Sequence, residues 1–341
     1  MRDDLLLDVR DLQITLDVDG ADFPVVEGIN FQLSTGKVIA LVGESGCGKS
    51  VTSQSLLRLL PRELRITAGQ INFLGADGRA PVDLASLAKD GKEIREIRGN
   101  HIAMIFQEPM SSFSPLHTMG NQIAEVIHLH LKPTKAEARA LTIDLLDKVG
   151  IPDPARAVDQ YPYEFSGGMR QRGMIAKALA CSPSLLIADE PTTALDVTIQ
   201  AQILELMRGL QAELGMAIIF ITHDLGVVAQ IADDVAIMYM GRIVEQGPVG
   251  EIFGHPQHPY TVNLLQAIPR LGDLRARRQL APIRGSVPSL FERPEGCTFH
   301  PRCDSFMAGR CDAAFPPLSR LSVEHEVRCF LHQAASESGT A

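Results

Sequence analysis

The chain has 341 residues, 45% of them hydrophobic, which is room for about two domains and ample material for buried cores. Its formal net charge of −9 argues against a general nucleic-acid binder, because that balance offers no surface for neutralising phosphates. The opening Met1-Arg2-Asp3-Asp4 is acidic where a secretory leader would be basic, and no apolar run approaches the roughly 20 residues that span a bilayer, so a cytoplasmic protein is expected, with any membrane role supplied by a partner.

Leu5 to Leu16 alternates apolar and polar residues and then turns at Asp19-Gly20, the pattern of strands in a small antiparallel sheet. Phe23 falls in the expected loop after that turn, where its ring can stack on an adenine base or serve as a core or turn residue. Gly28 to Leu33 reads as another strand, and Val38-Ile39-Ala40-Leu41-Val42 as a buried one. There follow Gly43-Glu44-Ser45-Gly46-Cys47-Gly48-Lys49-Ser50 and, from Val51, a stretch of helical spacing without a breaker. Strand, glycine loop and helix together are the setting of a P-loop. The glycines let successive N–H groups curl inward toward phosphate oxygens, and the new helix adds the positive end of its dipole. Lys49 is expected to reach the outer phosphates and Ser50 to ligate Mg²⁺. Cys47 fits as a small filler that binds through its amide.

Further on, Gln70 to Leu74 reads as a short strand, the polar stretch to Asn100 as helical, and His101 to Phe106 as a strand that delivers Gln107 into a loop. A glutamine there can contact a Mg²⁺-bound water. From Met119 to Gly150 the pattern is helical, restarted at Pro133-Thr134 and broken at Pro152 and Pro154. Then Phe165-Ser166-Gly167-Gly168-Met169 opens another helix, with Ser166 as its cap and two glycines that admit an anion to the amides. One triphosphate rarely needs two such helix starts, so this one is expected to serve a nucleotide held by another subunit. Ser184 to Pro191 is an apolar strand ending in two acids: Asp189 is placed for the Mg²⁺ shell and Glu190 to polarise an attacking water. A long helix from Val197 to Leu214 precedes the strand Ala217 to Thr222, which ends at His223, facing the ligand crevice of an open α/β sheet.

Taken in order, Gly43 to Ser50, Gln107, Phe165 to Met169, Leu185 to Glu190, Ala194-Leu195-Asp196 and His223 resemble the Walker A, Q-loop, signature, Walker B, D-loop and switch histidine of ATP-binding-cassette (ABC) ATPases. The resemblance spans about residues 5 to 250. It implies an α/β P-loop NTPase of the cassette type, with an antiparallel β subdomain and a helical subdomain over about 108–180. It also implies a head-to-tail dimer in which ATP lies between one subunit's Walker A and the other's signature. Glu190, His223 and Gln107 would then be catalytic. The nucleotide and its Mg²⁺ would be held by residues 43–51, Gln107, Asp189, Ser166, Gly167, Gly168 and Asp196, with Phe23 as adenine platform. Met169 stands where the family usually has Gln, a change the site is expected to survive.

Gly241 to Gly247, His255 to Thr261 and Gly296 to Cys303 resemble the C-terminal extension of oligopeptide/dipeptide importer ATPases, and Phe-Ser-Gly-Gly-Met-Arg-Gln-Arg resembles their D-type subunit. This implies a cassette over 1–250 and an extension over 251–341. The partners implied are a second, F-type ATPase, two membrane permeases and an extracytoplasmic solute-binding protein. The protein would sit peripherally on the cytoplasmic face of the membrane, and no nucleic acid is expected. Alternatives are an importer ATPase for nickel or another small solute, or a soluble cassette ATPase acting on nucleic acid or ribosomes. The four tail cysteines, Cys297, Cys303, Cys311 and Cys329, are spaced more widely than the tight pairs of structural zinc sites. A [4Fe–4S] cluster is therefore expected ahead of zinc, and zinc beside free thiols. His255 and His258, each followed by proline, are expected to mark a turn without a ligand role.

Overall fold

The structure is a computed structural model that describes residues 4–75, 80–107, 112–193, 195–267 and 283–333. β1 (Leu5–Val18) and β2 (Ala21–Ser34) pair antiparallel along their length, joined at Asp19 and Gly20. Both turn residues take positive φ, 52° and 83°, the left-handed pair that matches the twist of a two-residue hairpin. Strand pairing therefore resumes at once, and Phe23 lies within β2 opposite Leu16, not in a loop. β4 (Leu64–Phe73) and β5 (Val82–Asp83) complete this sheet in the order β2-β1-β4-β5.

The second sheet has eight strands among the described residues. Its buried centre is β3 (Val38–Val42), flanked in parallel by β8 (Ala217–Thr222) and β9 (Asp234–Tyr239), with β7 (Leu185–Asp189) and β6 (Ile102–Ile105) beyond β8. β3, β7 and β8 are buried at every position, which is why they read as unbroken apolar runs: helices or the first sheet cover both faces. The expected helix before Asn100 shrinks to α2 (Lys92–Ile97). Ahead of it the Asp83 carboxylate accepts from the amides of Ile71 and Ala85, which holds that stretch in a turn.

α1 (Lys49–Leu56) follows the glycine loop. The helical subdomain comprises α3 (Met119–Leu131), α4 (Lys135–Lys148), the short α5 (Pro154–Ala157) and α6 (Gly167–Ala178). Thr134 and Glu137 form a reciprocal capping box at the start of α4, so the chain restarts its helix just after Pro133. α7 (Val197–Leu214) and α8 (Leu225–Ile231) pack beside β8 and β9.

β10 (Arg242–Pro248) turns back antiparallel on β9 and leads to α9 (Val249–Gly254) and α10 (Pro259–Gln266). The tail returns through β11 (Ser319–Arg320) and β12 (Glu326–Val327), and β12 pairs with β10, so the tail adds two strands to the edge of the second sheet. Glu245, 1% exposed, fastens this join: its carboxylate accepts from the amides of Gln257 (2.8 Å) and His258 (2.9 Å) and meets His325 Nε2 at 2.9 Å. The cysteine segment packs on a hydrophobic core. Tyr239, Tyr260 and Phe299 are fully buried there with Cys297 and Cys303 against them. These aromatics come from separate stretches of the chain, so no local apolar pattern marks that core.

Candidate nucleotide site

β3 emerges at its carboxyl end in the middle of the sheet, between β8 and β9, where α/β sheets place ligands. Gly43 is the first residue out. A Cβ there would lie 2.2 Å from the Met238 carbonyl oxygen and 2.7 Å from Cys47 Sγ, so only glycine fits. Gly48, with φ of 100°, caps α1. Lys49 is 5% exposed and donates from Nζ to the carbonyls of Gly43 (2.8 Å) and Glu44 (3.0 Å), which fixes its ammonium inside the loop. Ser45 and Gly46 stand exposed at the rim, while Cys47 is buried, a burial that pushes its thiol pKa up and keeps it unreactive. Val51 is half-buried behind the loop.

Ser50 Oγ donates to Asp189 Oδ1 at 3.1 Å. Burial raises the Asp189 pKa and the Ser50 hydroxyl opposes that shift. The two oxygens form a hard donor pair of the kind Mg²⁺ takes, and a cation bound there would replace the hydroxyl's hydrogen bond. Glu190, next along, has φ of 46°, a strained backbone that turns its side chain off the strand. Three side chains meet its carboxylate: Gln107 Nε2 at 3.1 Å, Thr193 Oγ1 at 2.9 Å and His223 Nδ1 at 3.2 Å. Burial alone would raise the Glu190 pKa. The hydrogen bonds from Thr193 and His223, with the positive charge of Lys49, outweigh it and hold the group below the ordinary carboxylate range. A carboxylate so held is ionised at neutral pH and can accept a proton from water. Gln107, expected with Mg²⁺, stands on Glu190 here.

The second helix start differs. Ser166 caps α6, its hydroxyl accepting from the Met169 amide at 3.3 Å, and both Ser166 and Gly167 are exposed. A Cβ at Gly167 would meet nothing within 4 Å, whereas at Gly168 it would come within 3.0 Å of Ile199 Cγ2 on α7. Asp196 is likewise exposed and caps α7 through the Ile199 amide at 3.0 Å. Ala194, between Thr193 and Leu195, lies outside the described residues. Met169 is half-buried against the core of the helical subdomain, a packing role open to either Met or Gln stems.

The ABC transporter family profile matches residues 26–193, and the profile of the oligopeptide/dipeptide transporter C-terminal region matches residues 244–311. A putative peptide import ATP-binding protein of Brucella ovis is 51% identical over 96% of this chain and 97% of its own length. The dipeptide transport ATP-binding protein DppD is 48% identical in Bacillus subtilis (97% and 96% covered) and 44% identical in Escherichia coli K12 (98% of each). The chain belongs to the ATP-binding subunits of peptide ABC importers. It is an ATPase, and its likeness to the D-type members runs end to end. Among solved structures, cbiO1 of Clostridium perfringens aligns over 81% of this chain and 97% of its own (TM-score 0.62, 28% identity). The ATP-binding cassette MJ0796, solved as a dimer with ADP and Pi, shares the fold over 72% of this chain and 99% of its own (TM-score 0.62, 23% identity).

In this importer ATPase the extension touches the cassette near the nucleotide site in ways sequence spacing could not foretell. Phe23 meets Phe291 of the extension edge to face, centroids 4.8 Å apart, and Arg293 ion-pairs with Glu27 of β2 at 3.0 Å. Cys297, Cys303, Cys311 and Cys329 all line one narrow cavity of about 10 Å³, room for about one water molecule. Burial pushes Cys297 and Cys329 up to about 11. Among the described residues no group of three or more His, Cys, Asp or Glu side chains is arranged to hold a metal ion. His258 lies in the bend between α9 and α10, as its prolines suggested, and is buried there. It is 1% exposed, caps α10 by accepting from the Tyr260 amide at 3.0 Å, and borders the cysteine cavity with its Nε2 unpartnered. Burial depresses its pKa to about 3, so it is neutral.

Proposed function

We propose that this chain hydrolyses MgATP to energise import of di- or oligopeptides through a membrane ABC transporter. The convergence of Gln107, Thr193 and His223 on Glu190 beside the phosphate loop carries this reading, in a chain that follows peptide-import relatives over nearly its whole length. Residues 43–51 take the phosphates, with Lys49 released from the loop carbonyls onto the outer ones. Ser50 and Asp189 hold Mg²⁺, and Gln107 joins that shell when it leaves Glu190. Glu190 accepts the proton of the attacking water, and His223 senses and stabilises the γ-phosphate. Phe23 offers a ring to the adenine, with Phe291 as its neighbour.

Ser166, Gly167, Gly168 and Asp196 serve the nucleotide of a second ATPase, of F-type. The exposure of Ser166, Gly167 and Asp196 and the open space over Gly167 support that reading. Two permease subunits dock on the region Pro109 to about Gly150, of which 109–111 lies outside the described residues. A groove between α3 and α4, bordered by His117, Asn121, His128 and Arg139, supports that placement. No helix of the described residues is long and apolar enough to cross a membrane, so attachment to the cytoplasmic face runs through the permeases. A solute-binding protein on the far side selects the peptide. Cassette over 1–250 and extension over 251–341 remain the functional division.

The cysteine cavity holds a [4Fe–4S] cluster in this reading. What supports that reading is that the four thiols line one cavity, at spacings wider than the tight pairs of structural zinc sites. Cys297, Cys303, Cys311 and Cys329 would hold it as thiolates, and its chemistry there would be structural cross-linking of the tail. Anaerobically purified protein should carry about four iron atoms and absorb broadly near 400 nm; protein without iron would end the cluster assignment. The transport reading is tested in proteoliposomes carrying the whole complex: labelled dipeptide uptake should require ATP and Mg²⁺ and stop with Glu190→Gln. Undiminished uptake by that variant would refute it.

A further inference from the structure

Glu44, the second residue of the phosphate loop, is held by residues 216 and 258 positions further along the chain. The Tyr260 hydroxyl oxygen accepts from the Glu44 N–H at 3.0 Å. Arg302 grips the same residue's carboxylate with two nitrogens, Nη1 at 2.7 Å from Oε2 and Nη2 at 3.1 Å from Oε1. This parallel fork is what makes an arginine–carboxylate pair geometrically specific. The Arg302 side chain is 4% exposed and that of Glu44 27%, so water screens the pair little and each charge depends on the other.

The arginine is itself fixed from behind. Its Nε donates to the Arg284 carbonyl at 2.9 Å and its Nη1 to the Tyr239 hydroxyl at 3.3 Å. Tyr239, Tyr260 and Phe299 pack their buried rings tilted or edge to face at centroid distances of 4.7 to 5.3 Å, a floor that cannot shift without repacking. Glu44 thus has its N–H, its carbonyl and its carboxylate each committed to a different partner: Tyr260, Lys49 and Arg302. Fixing the N–H and the carbonyl sets the peptide planes on both sides of Glu44. Those planes determine the curl of the amides that follow and the seat of the Lys49 ammonium.

We infer that Arg302 and Tyr260 are positioning residues of the ATP site, holding the phosphate loop through Glu44 in its nucleotide-ready curl before ATP arrives. The inference rests on the reading of residues 43–50 as the ATP loop. It gives the extension a task in the cassette's chemistry: to prepay the ordering of the loop that a phosphate would otherwise impose on binding.

The test is ATP affinity and steady-state kinetics of the intact complex bearing Arg302→Met, Arg302→Lys, Tyr260→Phe or Glu44→Gln. Arg302→Met should raise the Kd and KM for ATP about tenfold, while kcat at saturating ATP falls less than about threefold, because bound nucleotide reorders the loop. Arg302→Lys should recover part of the affinity, Tyr260→Phe should cost a smaller factor, and Glu44→Gln combined with Arg302→Met should be no worse than Arg302→Met alone. A purely architectural arginine would lower the melting temperature and leave the Kd of the folded fraction unchanged; that outcome overturns the inference, as does a kcat loss with unaltered Kd. If Arg302→Met does not fold, Tyr260→Phe alone decides: unchanged ATP affinity refutes the role. Lys49→Ala serves as the control. Retained ATP binding in that variant would refute the loop assignment itself, whereas lost binding there with unchanged affinity in the brace variants refutes only the brace.

Discussion

Two helix starts in this chain are fit for phosphate, and they are built in opposite ways. At the first, Gly43, Cys47, Gly48 and Lys49 are buried, and the loop is tied to β9, to its own lysine and to the extension. At the second, Ser166 and Gly167 are exposed and Ser166 bonds only within its own helix. The first is a socket finished by its own chain. The second is a surface left open, the form expected of a half-site that another molecule completes.

The contrast can be broken most forcefully at the socket's chemistry. Glu190→Gln should reduce ATP turnover by about a hundredfold or more, since it removes the proton acceptor, while ATP binding persists; turnover measured against nucleotide retention reads both. Gly43→Ala comes next. Its methyl would sit 2.2 Å from the Met238 backbone oxygen, so denaturant melts should show a loss of roughly 2–3 kcal/mol, toward the upper end of overpacking costs. Ser166→Ala should cost about 1 kcal/mol, the value of a helix cap, without touching ATP binding by this chain. Gly167→Ala should be neutral or stabilising by a few tenths of a kcal/mol up to about 1, because its Cβ meets nothing and alanine favours the helix. A large loss at Gly167 would show that the second start is not open.

The smallest effect is a pH dependence. Glu190 is held below its ordinary pKa of 4.5, so the stability from its partners is fully present above that value and fades as pH falls below it. The stability difference between the wild type and Glu190→Gln should be flat at neutral pH and shift by a few tenths of a kcal/mol on acidification below about pH 4.5, because exposed partners such as His223 are screened.

Much of the socket was legible because its motifs are local: a strand, a glycine loop and a helix are contiguous, and paired acids end an apolar run. The relatives agree with the family and the function read from those motifs. What was illegible is whatever folds back from afar. Thr193 on Glu190 had a motif neighbour and was overlooked, but Arg302 and Tyr260 on Glu44 carry no spacing signal across more than 200 positions. His258 looked like a turn because prolines flank it, and only tertiary packing buries it. Phe23 was placed in a loop because strand propensity says nothing about how soon a hairpin resumes.

The division of labour between the two helix starts is tested most directly by Gly167→Arg in the assembled complex, read by photolabelling this chain with an azido-ATP analogue and by hydrolysis. A bulky charge at the open start should leave labelling at this chain's own loop intact and abolish turnover at the site it completes in the second ATPase. Unchanged hydrolysis by the complex, or loss of labelling at this chain's own loop, would contradict the account.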